Sequence, residues 1–164
     1  GWITRGKEYP IQSNTGAQRL TINGAVNVQD LSAEIRFDDT IDAVSTIALL
    51  QQLEQANPDA PRIVVICDNA RYYKSKLVAE YLKTSRIQLE PLPPYCPNLN
   101  LIERFWKFFK REVLYNHYYE TFEKFRSACR NFFAELDKFA PRLRTLLAEN
   151  FQIIGGKKPK IGIG

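Results

Sequence analysis

Polar and apolar residues alternate with period two through Arg19-Leu20-Thr21-Ile22-Asn23-Gly24-Ala25-Val26-Asn27-Val28, pause at Gln29-Asp30, and alternate again from Ser32 to Phe37. Period two sends successive side chains to opposite faces of a strand, so this stretch predicts an antiparallel hairpin. Trp2 to Tyr9, with Gly6-Lys7 as a turn signal, predicts a further strand and turn. The period then lengthens. Asp39 or Thr40 is placed to cap a helix that ends before Pro58, with Ile41, Val44, Ile47, Ala48, Leu49 and Leu53 on one broad face. Arg62 to Cys67 is almost continuously apolar and β-branched, the pattern of a strand buried on both sides of a sheet.

Ser75 opens a second helix running through Lys83, with Leu77, Val78, Tyr81 and Leu82 inward. Ile87 to Leu92 predicts a short strand, stopped by Pro93-Pro94 and Pro97, which make a stiff loop. A long helix is expected from about Leu99 to about Leu114, with the stripe Ile102, Phe105, Trp106, Phe109 and Val113, and another from Thr121 to about Phe139. In the latter, Phe122, Phe125, Phe132, Phe133, Leu136 and Phe139 recur at helical spacing and read as core, not as a base-stacking platform. Strands first, then strand and helix in alternation, predict an α/β fold: a mixed sheet with helices on its faces.

A chain of 164 residues, 45% of them hydrophobic, is enough for one domain with a sizeable core. The expected organisation is a single domain over residues 1–150 and a basic Gly/Lys tail over 151–164, where Gly155-Gly156-Lys157-Lys158-Pro159-Lys160 reads as linker. No signal peptide is evident, and no apolar run approaches the roughly 18 residues of a membrane span, so a soluble protein without a membrane partner is expected. With no Met and a start at Gly1, the chain reads as a fragment or a mature piece. Cys67, Cys96 and Cys129 have neither metal-ligand spacing nor even pairing and are expected as reduced thiols. Charge is lopsided: residues 1–68 carry 5 Lys/Arg against 9 Asp/Glu, net −4, whereas 69–164 carry 18 against 9, net +9. A basic half beside carboxylates suits a polyanion whose phosphates reach those acids through metal ions, although a solvated basic surface has the same composition.

Two acids stand in informative surroundings. Asp68 closes the run Ile63-Val64-Val65-Ile66-Cys67 and precedes Asn69-Ala70, which puts a carboxylate at the carboxyl end of a sheet strand, where ligands bind in open α/β folds. Glu103 lies near a helix start in Pro97-Asn98-Leu99-Asn100-Leu101-Ile102-Glu103-Arg104-Phe105-Trp106, sharing a face with Lys107 and Lys110. Each has a plain structural reading as well, the Asp as a turn cap and the Glu as one half of an i,i+4 pair with Lys107. His117, alone between two helices, reads as a surface or joint residue.

The strand ending Asp-Asn-Ala, the Pro-rich loop, the Asn-Leu-Asn-Leu-Ile-Glu run and the thirty-four residues between Asp68 and Glu103 resemble the second and third acids of a DDE transposase of the IS630/Tc1-mariner type. The second acidic motif runs from Pro94-Tyr95-Cys96 to Glu103, and weaker similarity to the IS630-like branch extends through Gly1-Trp2, Arg5-Gly6-Lys7, Asn23-Gly24-Ala25, Phe37-Asp38-Asp39-Thr40 and Asn150-Phe151. The resemblance implies an RNase H-like fold, two Mg²⁺ or Mn²⁺ ions, and cut-and-paste transposition with transposon ends and target DNA as partners, in a dimeric complex. It implies Asp68 and Glu103 as catalytic metal ligands, with Arg104, Lys107, Lys110 and Arg111 as phosphate contacts, and a prokaryotic cytoplasmic, nucleoid-associated setting.

In the family the first Asp lies on a strand upstream of the Gly-Trp segment where this chain begins. Glu8, at a strand-turn boundary, and Asp30, in the hairpin turn, do not replace it. The isolated chain is therefore expected to be inactive. The family's helix-turn-helix domains are not in this sequence, and Tyr72-Tyr73 stand where relatives often place a His. Two other readings stay open: a non-catalytic DNA-binding remnant of a transposase, and another RNase H-like nuclease or integrase core. The Asn-Leu-Asn-Leu-Ile-Glu run argues against the last of these.

Overall fold

The computed structural model describes residues 18–93 and 101–147. The expected strand at Trp2–Tyr9, the loop around Cys96 and Pro97, the first residues of the helix expected from Leu99, and the Gly/Lys tail lie outside the described residues. The hairpin forms as the alternation requires: β1 (Thr21–Val26) pairs antiparallel with β2 (Ala33–Asp38), in the register Ile22↔Phe37 and Gly24↔Ile35. Its connection closes through Asn27 N–H to the Ser32 carbonyl at 2.8 Å, and Asp30 accepts from both the backbone and the hydroxyl of Ser32. Those bonds hold the Asp30 carboxyl below its ordinary range, so this acid serves the turn. Leu31 adopts φ 66°, a left-handed backbone that side chains resist, and its burial in the core holds it there.

α1 (Ala43–Ala56) is capped two or three residues later than the sequence suggests. Asp42, not Asp39 or Thr40, accepts from the Val44 and Ser45 amides, and the Ser45 hydroxyl accepts from the Asp42 amide, completing a capping box. With this start Val44 turns outward, and the buried apolar face is Leu49, Leu50 and Leu53. β3 (Ile63–Cys67) and β4 (Ile87–Pro91) are parallel neighbours joined through α2 (Lys76–Leu82), a right-sized crossover with Ser75 as N-cap. Leu77, expected inward, is exposed, while Val78 is fully buried.

The fold has two apolar cores separated by the hairpin. Ile22, Val26, Ala33 and Phe37 on one hairpin face pack against α3 (Leu101–Val113), α4 (Phe122–Ala134) and α5 (Ala140–Leu147), around buried Phe105, Phe108, Phe109, Phe132 and Leu143. On the other face, Ala25 joins the second core of Leu50, Leu53, Val78 and Ile87, Asn23 donates to the Ser45 carbonyl, and Gln52 donates to Glu34 at 2.6 Å. The described strands form two two-stranded sheets, β1-β2 and β3-β4.

Two expectations are corrected here. β3 is not buried on both sides: Ile63, Val65 and Cys67 meet the core beneath α1 and α2, whereas Val64 and Ile66 are 49% and 61% exposed. Among the described residues no helix covers that second face. The helix expected over 121–139 breaks after Ala134 into a 3-10 turn at Leu136–Phe139, and α5 follows. Pro141 is tolerated because it falls in the first turn of α5, and Leu136 and Phe139 keep facing the core through the tighter turn.

One ion cluster ties the second core together. Glu54 on α1 receives the Tyr81 hydroxyl, the Ser85 hydroxyl at 2.9 Å and the Arg86 amide at 2.7 Å, while the Arg86 guanidinium donates to carbonyls of Glu54, Asn57, Pro58 and Ala60. It thereby ties the Glu54 carbonyl in the last turn of α1 to the loop carbonyls that follow the helix. At the other core, Arg142 of α5 makes a forked pair with Glu112 of α3 at 2.5 and 2.9 Å and lies over the Phe108 ring at 4.8 Å.

Candidate active site

Asp68 is the first residue past β3 and is exposed. Its turn is held from both sides. Asp68 Oδ1 accepts from the Ala70 amide at 3.0 Å, the Asn69 side-chain amide donates to the Leu92 carbonyl at 2.8 Å, and the Leu92 amide donates to the Cys67 carbonyl at 2.8 Å. An aspartate that only capped its turn would look the same at Oδ1. Oδ2 accepts no hydrogen bond from the described residues, and the residue stands at the carboxyl end of the parallel pair.

Around this turn the chain supplies further groups, of which Glu90 has no place in the sequence reading. A 3-10 turn at Arg71–Lys74 places Tyr72 and Tyr73 ring against ring at 4.8 Å. Burial, with Asp68 and Cys67 adding to it, raises the Tyr72 phenol above its ordinary range, and burial raises Tyr73 further, so both hydroxyls remain protonated donors. The Cys67 thiol is pushed up by burial first, then by the nearby charges of Asp68 and Glu90, which disfavours its thiolate form. Glu90 is thus a second carboxylate near the end of β3. Its signal was the alternation Gln88-Leu89-Glu90, which sends Gln88 and Glu90 to the same face as Val64 and Ile66.

Glu103 lies exposed in the first turn of α3, where the helix dipole favours an anionic side chain. The apolar stripe beneath it is as expected, with Phe108 added, and it seats the helix firmly: Phe105 is fully buried and its ring contacts Trp106, Phe132 and Phe133 at 5.5–6.4 Å. The four cations following Glu103 part company. Lys107 and Lys110 are exposed on the same face as Glu103; Arg104 is half-buried and donates to the Leu146 carbonyl of α5 at 3.4 Å; Arg111 lies over the Phe108 ring and reaches Glu112 at 3.3 Å. Among the described residues no three His, Cys, Asp or Glu side chains gather closely enough to form a metal site by themselves. His117 is an exposed joint residue between α3 and α4, and Cys67 and Cys129 are buried free thiols, the latter pushed up to about 11 by burial. No described helix is long and apolar enough to cross a membrane.

Asp68 and Glu103 suit a divalent cation by the chemistry of their donors. Mg²⁺ and Mn²⁺ are hard ions that take oxygen ligands, and Mg²⁺ needs only one or two carboxylates beside waters and substrate phosphates. Both acids are exposed, and neither is consumed by the core.

Among solved structures the chain is similar to the Mos1 mariner paired end complex with Mn, at TM-score 0.59 and 15% identity over 90% of this chain and 48% of that one. It is similar also to the Mos1 transposase paired-end complex with left transposon end, at TM-score 0.59 and 16% identity, and to the Mos1 strand transfer complex, at 0.57 and 16%, covering 94% of this chain and 50% of that one. The likeness establishes the RNase H-like mixed α/β fold, and the chain spans about half the length of these relatives. No curated protein matches it. The profile of the DDE superfamily endonucleases matches residues 1–126, more than half of the chain and both candidate acids, and the chain belongs to that family.

Proposed function

We propose that this chain is the catalytic part of a DNA transposase of the IS630-like kind, which cuts and rejoins DNA strands with two Mg²⁺ or Mn²⁺ ions. The carrying observation is Asp68: an exposed carboxylate on a turn fastened to both parallel strands, with Oδ2 left unengaged, inside the stretch that matches the endonuclease family. Asp68 and Glu103 are the ligands this chain offers. When bound, the ion pair supplies an activated water or 3′-hydroxyl and a stabilised leaving oxygen. The Asn69–Leu92 bond keeps the Asp68 turn from swinging away, and α3, anchored by Phe105, does the same for Glu103. Lys107 and Lys110 hold phosphates of the bound strand, with Arg111 and Arg104 at the margins. In this reading residues 1–150 are the catalytic domain and 151–164 a basic tail. Its partners are transposon-end and target DNA in a dimeric complex, on the nucleoid of a prokaryotic cell.

The test is metal-dependent nicking of a labelled duplex by the chain alone and by the chain joined to the residues encoded upstream. The chain alone should be inert, because two divalent ions repel each other and two acids hold the pair poorly. The completed protein should nick with Mg²⁺ or Mn²⁺, and Asp68→Ala or Glu103→Ala should abolish nicking without altering the melting curve. Robust cleavage by the chain alone would mean that the third ligand lies within it, and unchanged nicking in both variants would overturn the site. A second reading, a DNA-holding remnant without catalysis, draws on the lack of any three-acid cluster among the described residues. Salt-sensitive DNA binding by a completed protein that never cleaves would favour it.

A further inference from the structure

The turn between α3 and α4 carries an exposed aromatic group that the proposed site does not use. Tyr115 is 59% exposed, Tyr118 50% and Leu114 38%, with His117 exposed between them. Single exposed apolar residues are ordinary, but four within five positions form a patch. The turn is built to hold them out. The Leu114 and Tyr115 amides both donate to the Lys110 carbonyl, at 2.8 and 3.1 Å, Asn116 takes a left-handed φ of 62°, and the His117 amide donates to the Leu114 carbonyl. Tyr119 turns inward instead, its hydroxyl donating to the Val113 carbonyl at 2.6 Å and its ring lying near-parallel to His117 at 6.3 Å.

The position of this turn suggests its occupant. Glu103, Lys107, Lys110 and Leu114 recur at helical spacing, so one exposed stripe of α3 runs from the acid, past two lysines, to the aromatic turn. Eleven residues at 1.5 Å rise make about 16 Å. That is about five nucleotides at 3.4 Å per step along one strand. We propose that Tyr115 and Tyr118 stack an unpaired base of the DNA strand whose phosphates lie on Lys107 and Lys110, about five nucleotides from Glu103. This rests on the reading of α3 as a DNA-bearing helix given above. Stacking asks nothing of the base's identity, since every base has a π-face, so the turn would grip frayed or single-stranded DNA near the cut without reading sequence.

The experiment uses the full chain and a duplex bearing a single-stranded extension of eight nucleotides, with 2-aminopurine at one extension position at a time. Quenching should peak at one or two neighbouring positions. Tyr115→Ala/Tyr118→Ala should remove that quenching and weaken binding of the extended duplex roughly 5- to 160-fold, from about 1–3 kcal/mol per stacked base, while blunt-duplex affinity stays within about twofold. Tyr115→Phe/Tyr118→Phe should retain both, because the rings remain. Should the double variant melt early, the single Tyr118→Ala carries the same readouts.

Quenching that is flat across positions, or unaffected by the Ala variants, would overturn the proposal. So would equal losses on blunt and extended DNA. If the Ala variants abolish self-association in sedimentation while both DNA readouts hold, the patch is a protein contact and the proposal fails. In each of these cases the reading of α3 survives if blunt-duplex binding still depends on Lys107 and Lys110. Undetectable binding of either DNA at low salt would remove both.

Discussion

Replacing Lys107 and Lys110 together by Ala tests whether DNA lies along α3, and its size follows from counting contacts. Both side chains are exposed on one helical face, and neither takes part in the ion pairs that occupy Arg142, Lys124 or Lys138. Each phosphate neutralised on duplex DNA releases counterions and steepens the log affinity against log salt by about 0.9. Losing two contacts should therefore make the slope shallower by about 1.8. If the electrostatic part vanishes near 1 M salt, the same two contacts are worth about 60-fold in affinity at 0.1 M. Fluorescence anisotropy of a labelled blunt duplex, titrated at five or six salt concentrations, reads both numbers. Lys83→Ala removes one such charge at the residue that ends α2, where Lys83 is paired with Glu80 at 2.6 Å, and should leave the slope within about 0.3. A double variant whose slope moves by less than about 0.5, or a Lys83 control that moves as far as one α3 lysine, would refute the reasoning. The first would take DNA off this helix, and the second would reduce the effect to net charge.

Glu54→Gln should lower stability by about 1–3 kcal/mol, since a group bonded to Tyr81, Ser85 and Arg86 leaves partners unsatisfied when it loses its charge. The Tyr81 hydrogen bond first, then the Arg86 amide, hold the Glu54 carboxyl below its ordinary value. Its contribution is therefore present above the unfolded pKa of about 4.3 and is lost as pH falls through the folded one. Urea melts at pH 7 and in acid should show the variant's deficit shrinking toward low pH, and a deficit that grows would contradict the assignment. Phe105→Ala should cost about 3–5 kcal/mol by emptying a fully buried ring site, measured by thermal or urea melting. A cost under about 1 kcal/mol would mean that α3 is not anchored there. Gly24→Ala should destabilise by about 1–3 kcal/mol, because its Cβ would stand 2.5 Å from Ile35 Cδ1 and 3.0 Å from the Glu34 carbonyl. A neutral result would show that the hairpin relaxes around it.

What the sequence determined by itself was whatever rests on local period and local chemistry. The hairpin, the α2 crossover with its Ser75 cap, and the aromatic stripe of α3 are written in spacing, because side-chain direction follows from backbone geometry alone. Asp68 and Glu103 became candidates through the combination of their flanking runs and the thirty-four residues between them, which resemble a known family, since each place alone has a plain structural reading. Four further features needed the fold. The 121–139 pattern is the same whether the helix continues or tightens into a 3-10 turn, since both keep Leu136 and Phe139 inward, so only packing against α3 decided the break before α5. β3 reads as buried on both faces because Val64 and Ile66 are apolar, but cover depends on which helices lie over the sheet, and α1 and α2 lie over one side. The four α3 cations look equivalent in sequence, and the neighbours separate them: the Leu146 carbonyl and the Glu112–Phe108 pair engage the two arginines, while Lys107 and Lys110 face solvent. Glu90 came near Asp68 only when β4 was laid beside β3, because a parallel register brings together residues more than twenty positions apart, and no local pattern encodes that distance.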